Sequence, residues 1–365
     1  MNQRHELHFA EDFQGARRRF HAACDLAGVR SDSIIHPLKG PDGEELAVDV
    51  AYFGNRSAER LLVLTSGVHG PELMTGSGCQ VGMIADGVLS DIPDGVGVLV
   101  VHAANPWGSA HLRRNNEDNV DLCRNFVDFD DPPPRNEDYD RIKDFLPIAF
   151  AQGKEGDAAR AAIDRYKREH GEDAFGRGFM AGQYHDPKGV SFGGTEAVWS
   201  RRIMEECWSA YGARAGKLCF IDFHSGLGPY AYGTTVSLQA GEAMRRAQRI
   251  FGKWVLAVRA DDHKSDGKAP DVSGHTTQGH ERAFAGAEVT SVVLEFGVEP
   301  YDHTAEILMR EHRLHFDSST PADQRRRCKQ DLLRSFYPQD PYWRRAVFNH
   351  SLQATEQALS YLSEG

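Results

Sequence analysis

The stretch Leu61-Leu-Val-Leu-Thr65, followed by His69-Gly-Pro-Glu72, decides how the rest of the chain is interpreted. The apolar run predicts a buried strand, and the imidazole and carboxylate three residues apart fall on one side of the turn that follows it. A second apolar run, Leu218-Cys-Phe-Ile221, ends in Asp222-Phe-His224 and can supply another imidazole. Two His and one Glu around an open fourth position form the ligand set of hydrolytic zinc. The sequence therefore predicts a metal-dependent hydrolase.

The composition argues against several other classes of protein. The 365 residues include 42 basic and 53 acidic side chains, for a net charge of −11. This balance speaks against nucleic acid or an anionic membrane as the main partner, although it leaves room for a local positive pocket. No apolar run approaches the roughly 20 residues that cross a bilayer, and the polar start Met1–His8 lacks the apolar region of a secretory signal. Because the six Cys show no CxxC pairing, we expect reduced thiols in a cytoplasmic protein, and oligomers are compatible with it.

Strand-like and helix-like segments alternate along the chain from Glu44 onward. The pattern predicts strands near 46–53, 61–66, 96–102, 218–221 and 289–296, and helices near 72–86 and 196–211. Such alternation predicts an α/β fold with a mixed, mostly parallel twisted sheet and helices on both faces. Ligands of such folds bind beyond the carboxyl ends of the strands, which is where His69, Asn105 and His224 fall.

The domain organisation is interpreted as a single catalytic domain spanning residues 1–365. Residues 127–200 differ in character, because the polar segment Asp128–Pro134 is followed by a charged helical stretch and a Gly-rich passage. We take 127–200 as an insertion within the domain. Residues 310–365 are predicted to form a C-terminal helical segment, with two amphipathic helices around Pro338.

Further polar motifs follow the other predicted strands, and each also has a structural explanation. HxxE alone fits a carboxylate placed favourably in a first helical turn. The arginine-rich run 113–125, which follows Asn105-Pro-Trp-Gly108, fits either an anion site or a solvated basic loop balanced by its own acidic residues. Glu295 is the hardest to explain structurally, since a carboxylate at the end of an apolar strand is costly to bury unless it is paired or functional.

Taken together and in this order, the motifs resemble those of the zinc carboxypeptidase (M14) family. HxxE is followed by NPxG, then R-x-N-x-x-x-V-D-x-x-R-N, a strand-end His and a strand-end Glu. More narrowly, the chain is similar to the carboxypeptidase-like DUF2817 branch, which is related to the aspartoacylase and succinylglutamate desuccinylase group. The resemblance runs from about residue 45 to 300, outside the insertion. It implies the zinc carboxypeptidase fold.

The resemblance also implies roles for individual residues. One Zn²⁺ per chain would be held by His69, Glu72 and His224, with Glu295 as the catalytic carboxylate. The remaining implied positions are Arg114, which would polarise the scissile carbonyl; Arg113, a one-residue slip away; and Arg124, which would receive a substrate carboxylate.

Three departures from the family pattern affect substrate recognition. Cys123 stands where the family usually has Asn, and a thiol lacks the donor and acceptor pair of an amide. Gly70 and Pro71 occupy the interior of HxxE, where carboxypeptidases carry an Arg. No Tyr lies at the family's distance before Glu295. The candidates to replace it are Tyr230, Tyr232, His275 and His280, and of these Tyr232 is the predicted substrate-binding residue.

Several functional hypotheses remain open from the sequence. The leading one is zinc-dependent hydrolysis of an amide bond in a small carboxylate-bearing substrate, most simply a peptide. Alternatives are an aspartoacylase-like deacylase of N-acyl amino acids, cleavage of murein peptides, and a catalytically silent module that binds metal and ligand. His and Asp residues near 261–280 also leave room for a second metal ion.

Overall fold

A twisted sheet forms the centre of the molecule. The computed structural model describes residues 3–151, 153–257, 272–298 and 300–364. Within them the strands are β1 Ser31–Lys39, β2 Glu45–Gly54, β3 Arg60–Ser66, β4 Val96–His102, β5 Lys217–Tyr230, β6 Gly233–Ser237, β7 Leu256–Ala257 and β8 Glu288–Gly297. Their order across the sheet is β1-β2-β4-β3-β5-β8-β6-β7. The predicted α/β class with a mixed, mostly parallel sheet is confirmed.

The central strands are parallel and the flanking strands are not. β3 pairs in parallel with β4 and with β5, and β5 pairs in parallel with β8. β2 pairs antiparallel with β1 and β4, and β6 runs antiparallel to β8. The carboxyl ends of β3, β5 and β8 therefore meet at one edge of the sheet, and they carry the three strand-end motifs of the sequence to the same place.

Helices cover both faces of this sheet. The α-helices within the described residues are α1 Phe13–Leu26, α2 Leu73–Ala85, α3 Pro106–His111, α4 Glu137–Ile142, α5 Leu146–Ala149, α6 Lys154–His170, α7 Glu172–Met180, α8 Trp199–Gly212, α9 Gly241–Phe251, α10 Thr276–Ala283, α11 Tyr301–Phe316, α12 Ala322–Phe336 and α13 Pro341–Ser363. None of the helices among these residues is both long and apolar enough to span a bilayer.

The core is divided into two layers by the alternation of side chains along each strand. In β3, Leu62 and Leu64 pack into the layer that contains α1, α2, α9 and α13, whereas Leu61 and Val63 pack into the layer that contains α8. Every residue from Leu61 to Ser66 is buried. An almost continuous apolar run is what a strand buried on both faces requires, and this burial explains why the strand was evident from the sequence.

Two helical groups lie outside these layers. Helices α4 to α7, within the segment taken as an insertion, share a separate apolar cluster with Met309 of α11. The C-terminal segment contains the end of α11 followed by α12 and α13. α11 begins at Tyr301, directly after Pro300, so the helical region starts about two and a half turns before residue 310, the predicted start. These helices bring apolar side chains over the carboxyl edge of the sheet.

Candidate metal centre

A close approach of two loops shapes the turn that carries the first motif. His69 follows β3 with an extended backbone, and a short 3-10 turn, Gly70–Glu72, connects it to α2. A Cβ added at Gly70 would lie 2.2 Å from the carbonyl carbon of Gly108 and 2.3 Å from the Arg113 carbonyl oxygen. Since both are backbone atoms, the position has no room for a side chain. This crowding accounts for Gly70, and Pro71 suits the first turn of a helix, where the missing N–H costs no intrahelical hydrogen bond.

Both predicted His ligands converge on the carboxylate of Glu72. His69 Nδ1 lies 2.9 Å from Glu72 Oε1, and His224 Nδ1 lies 2.9 Å from Glu72 Oε2. The two imidazole rings are 4.8 Å apart between centroids and nearly perpendicular, at 77°. All three side chains are buried. The same nitrogen of each ring therefore faces the same carboxylate.

Two aspartates contact the opposite nitrogens of these rings. His69 donates through Nε2 to Asp121 Oδ1 at 3.1 Å. His224 Nε2 lies 3.0 Å from Asp222 Oδ2, an ion-pair distance without the alignment of a hydrogen bond. Asp222 and His224 are two residues apart in β5, so their side chains share one face of the strand. A carboxylate behind each imidazole fixes the orientation of the ring and makes it more basic.

The buried carboxylates around His69 and His224 favour positive charge between them. Burial and Arg114 oppose protonation of His69, but Glu72, Cys123 and Asp121 outweigh them and raise its pKa to about 10. Burial likewise opposes protonation of His224, while Asp222 and Glu72 raise its pKa well above the usual value. Burial raises the pKa of Glu72, but His69 and His224 more than reverse this and lower it.

Arg114 and Glu295 complete the polar part of the site. The Arg114 guanidinium lies 3.6 Å from Glu72 Oε1 through Nη1 and 3.3 Å from Asp121 Oδ2 through Nη2. Glu295 pairs in register with His224 across β5 and β8. Its Oε2 is buried without a hydrogen-bond partner. Burial and Glu72 raise the pKa of Glu295 to about 7, although His224, His69 and Arg114 act in the opposite direction.

A small cavity lies in front of these groups. Its volume is about 60 Å³, and His69, Glu72, Arg114 and Glu295 form its polar wall. The apolar wall comes from the insertion, the C-terminal helices and the loop end of β5, and consists of Phe179, Met180, Leu227, Ala305, Leu308 and Phe336. Small-molecule sites usually enclose roughly 300–1,000 Å³. The cavity therefore has room for a few water molecules in this conformation.

Cys123 belongs to the same cluster, while Arg124 is engaged by the backbone. A nitrogen of His69, a nitrogen of His224 and Cys123 Sγ all lie within 4.8 Å of one another. Burial raises the pKa of the Cys123 thiol, but His69, His275 and His224 overcome this and lower it well below the usual value. Arg124 donates through Nε to the Met180 carbonyl at 2.7 Å and through Nη1 to the Cys123 carbonyl at 2.7 Å. Two of its five donors are thus committed to the chain itself.

The other two predicted substrate-binding residues lie apart from this cluster. Arg113 donates through Nε to Glu311 Oε2 at 3.4 Å and through Nη2 to Asn119 Oδ1 at 3.1 Å. These contacts hold the guanidinium in a buried structural ion pair. Tyr232 is 44% exposed and stacks edge-on against His350, with ring centroids 4.8 Å apart. Their predicted roles gain no support from these placements. Of the 261–280 region in which a second metal ion was considered, residues 261–271 lie outside the described residues.

The arrangement fits a bound divalent cation. Two Nδ1 atoms and two carboxylate oxygens converge within hydrogen-bond distance, and imidazole and carboxylate are accepted ligands of zinc. Glu72 and the two aspartates raise the pKa of both imidazoles, so the cluster favours positive charge where the two rings meet Glu72. A dication would supply that positive charge. Glu295 Oε2, which has no partner of its own, faces this region.

The family model described as "Protein of unknown function (DUF2817)" matches residues 9–350 of the chain. The chain belongs to the DUF2817 family. The predicted DUF2817 relationship is thereby confirmed. A comparison with curated proteins finds no match.

Among solved structures, the DUF2817 chain is similar to carboxypeptidase A from Helicoverpa armigera. The TM-score is 0.54 at 12% identity, covering 97% of this chain and 73% of the other. A metallo-carboxypeptidase from Burkholderia cenocepacia gives a TM-score of 0.41 at 12% identity, with 95% and 69% covered. An aspartoacylase family protein from Mesorhizobium loti gives 0.39 at 17% identity, with 80% and 68% covered. The first of these shows that the DUF2817 chain has the carboxypeptidase fold.

Sequence reasoning assigned no role to Asp121 or Asp222, although both residues lie within motifs that it singled out. The signal for Asp222 is its spacing, since residues i and i+2 of a strand share a face. Asp121 contacts His69 across 52 positions of sequence, and no local pattern reports such a contact. The insertion was expected to contribute to the wall of the site, but the individual apolar side chains of the wall could not be predicted, because they come from separate helices of this DUF2817 chain.

Proposed function

We propose that the chain is a zinc-dependent hydrolase that cleaves an amide bond in a small, carboxylate-bearing substrate in the manner of carboxypeptidases. One observation carries the proposal: the Nδ1 atoms of His69 and His224 each lie 2.9 Å from an oxygen of Glu72. Together with the register pairing of His224 and Glu295, this puts a metal-ligand set beside an unpartnered carboxylate. That combination supports hydrolysis more directly than it supports a structural metal site.

Each side chain has a distinct part in the proposed reaction. Zinc bound by His69, Glu72 and His224 would supply the Lewis acidity that makes water a nucleophile near neutral pH. Glu295 accepts the proton of the attacking water and passes it to the leaving amine. Arg114 places its positive charge where negative charge develops on the carbonyl oxygen, an effect worth several kcal/mol in a preorganised site.

Asp121 and Asp222 hold the proposed ligands and Arg114 in position. Asp121 contacts both His69 and Arg114, so a single carboxylate orients a proposed ligand and the proposed oxyanion partner. Asp222 lies behind His224 in the same way. Partners of this kind typically change metal affinity or activity by about 10- to 100-fold when they are removed.

An aspartoacylase-like deacylase of N-acyl amino acids is the second candidate. The apolar wall of the cavity, formed by six side chains that include Phe179, Leu308 and Phe336, is compatible with it. Such a wall suits an acyl chain next to the scissile amide. A peptide with an apolar side chain beside the scissile bond satisfies the same wall, so the two candidates share this feature of the substrate.

The test combines metal analysis with a substrate panel. Purified protein, dialysed after loading with Zn²⁺, is expected to hold one zinc per chain and to hydrolyse members of a panel of dipeptides and N-acyl amino acids. His69→Ala and His224→Ala are expected to lose both the metal and the activity. His350→Ala is the matched control, because His350 stacks on Tyr232 away from the cavity.

The outcomes separate the hypotheses. Zinc retained at unit stoichiometry in either His variant contradicts the proposed ligand set. Zinc and ligand binding without turnover of any compound would indicate a silent binding module instead of an enzyme. Preference for acylated over C-terminal peptide substrates would select the deacylase.

A further inference from the structure

Cys123 occupies a position that no substrate-binding role explains. Its side chain is 1% exposed and packs in the apolar layer that contains α8. The residue lies in the 3-10 turn Leu122–Arg124. Asp121 caps this turn, and its Oδ1 accepts a hydrogen bond from the Cys123 backbone N–H at 3.0 Å. A thiol with so little surface is poorly placed to contact a substrate carboxylate.

Asp121, which caps this turn, also accepts a hydrogen bond from His69. Asp121 Oδ1 accepts from His69 Nε2 at 3.1 Å as well as from the Cys123 N–H. One oxygen atom therefore fixes the thiol-bearing turn relative to the imidazole. The resulting trio of His69, His224 and Cys123 has its three donor atoms within 4.8 Å of one another, and all three side chains are buried.

We propose that Cys123 Sγ is a ligand of the metal ion held by His69 and His224, so that the resting site has a thiolate among its donors. This inference rests on the proposed function, because it concerns the same ion. Imidazole nitrogen and cysteine sulfur are the donors most often found on zinc, with Zn–N near 2.0–2.1 Å and Zn–S near 2.3 Å. A trio of donors within 4.8 Å can meet such an ion with small side-chain rotations.

The chemistry of the site changes with this fourth ligand. Catalytic zinc keeps one coordination position open, whereas four protein ligands close the coordination shell. With Cys123 as a donor in addition to His69, Glu72 and His224, sulfur would fill the position that water would otherwise take, and hydrolysis would require the Cys123 side chain to turn away. Thiolate also selects for softer cations, so the site is expected to prefer Zn²⁺, Co²⁺ or Cd²⁺ over Mg²⁺ or Mn²⁺.

Cobalt substitution tests this directly. Full-length protein is loaded with Co²⁺ and its absorption spectrum is recorded, because a thiolate on Co²⁺ produces an intense near-ultraviolet charge-transfer band that nitrogen and oxygen ligands do not. We expect the band in the parent protein and in Cys207→Ala, and its loss in Cys123→Ala. Cys207 is the matched control, since it is a buried thiol in the same apolar layer, on α8. Zinc affinity, measured by competition with a chromophoric chelator, should fall at least about 10-fold in Cys123→Ala only.

Each result has a definite meaning. Stoichiometric Co²⁺ binding that depends on His69 and His224 but shows no charge-transfer band overturns the thiolate ligand and leaves the proposed function intact. Failure of the parent to bind Co²⁺ or Zn²⁺ overturns both. A band that persists in Cys123→Ala and disappears in Cys207→Ala would assign the sulfur ligand to the wrong residue and also contradicts the inference.

Discussion

Glu295 lies directly opposite His224 in the parallel pairing of β5 with β8. The pairing makes the distance between a proposed ligand and the proposed general base a property of the hydrogen-bonded sheet. A loop-borne carboxylate would have to be ordered at each turnover. Placing reactive groups on adjacent strands removes that requirement.

Glu295→Gln is expected to separate metal binding from catalysis. The amide keeps the shape of the side chain but cannot accept a proton, so the rate should fall by about 100-fold or more. Zinc content should remain at the parental level, because Glu295 is not among the proposed ligands. An unaltered rate, measured on the best substrate of the panel, would remove Glu295 from the mechanism.

Cys123→Asn is expected to raise the turnover of small amide substrates to the same extent with and without a free C-terminal carboxylate. The substitution removes a thiolate that would compete for the metal, and the 1% exposure of the side chain keeps the new amide away from the substrate. The measurement is kcat/KM for a C-terminal peptide and for the same peptide amidated at its C-terminus, and both values should rise with their ratio unchanged. A rise confined to the peptide with a free carboxylate would show instead that Cys123 governs carboxylate recognition.

Gly70→Ala should disturb the site through the backbone alone. The new Cβ would meet backbone atoms of Gly108 and Arg113, so the turn that carries His69 and Glu72 must shift. We expect a loss of about 1–3 kcal/mol in the free energy of unfolding, together with weaker zinc binding. Gly216→Ala is the matched control, because no atom lies within 4 Å of a Cβ built there. Equal stability and zinc affinity in the two variants would contradict the crowding argument.

Acid should destabilise the fold partly through His312. This buried residue donates from Nε2 to the Lys188 carbonyl at 2.8 Å, and burial together with Arg113 lowers its pKa to about 4. The unfolded chain, with a His pKa near 6.5, binds the extra proton between pH 6.5 and 4, so stability falls as the pH drops through that window. The loss amounts to about 1.4 kcal/mol per pH unit for a single group.

His312→Gln removes the titrating imidazole while keeping an N–H donor for the Lys188 carbonyl. The measurement is the free energy of unfolding of parent and variant, obtained from urea unfolding at pH 7 and at pH 4.5. Between pH 7 and pH 4.5 the parent should lose more stability than the variant. An identical pH dependence in both proteins would mean that His312 is protonated in the folded state as readily as in the unfolded chain.

The sequence predicts the centre of the sheet well and its edges poorly. The predicted strand 96–102 has the same bounds as β4, because the strand is buried along its whole length and has no polar side chain before His102. β1 was missed because its side chains are mostly exposed or half-buried and include Pro37. β7 has two residues and is too short for any pattern. Edge strands depend on their neighbours more than on their own composition.

The candidate site divides in a similar way. His69 and Glu72 follow the apolar strand β3, and His224 and Glu295 lie within β5 and β8 directly after their apolar runs. Parallel strands bring such positions to one edge of the sheet, so sequence order was sufficient to bring them together. The choice between Arg113 and Arg114 was a matter of one residue, and backbone geometry governs which guanidinium reaches Glu72. Leu112 adopts a left-handed conformation, with φ of 50°, and the Arg113 N–H bonds to the Gly108 carbonyl at 2.8 Å. No pattern of residue types predicts that turn.

The apolar wall of the cavity has a kinetic consequence for the proposed hydrolase. A space of about 60 Å³ is too small for a dipeptide, so for the proposed hydrolase we expect α11, which contributes Ala305 and Leu308, to move away from Leu227 and Met180 during each turnover. When such an opening is slow, the measured turnover number reports the gate and conceals the bond-breaking step. Leu308→Ala would then raise the turnover number, whereas a turnover number set by the bond-breaking step would be unchanged.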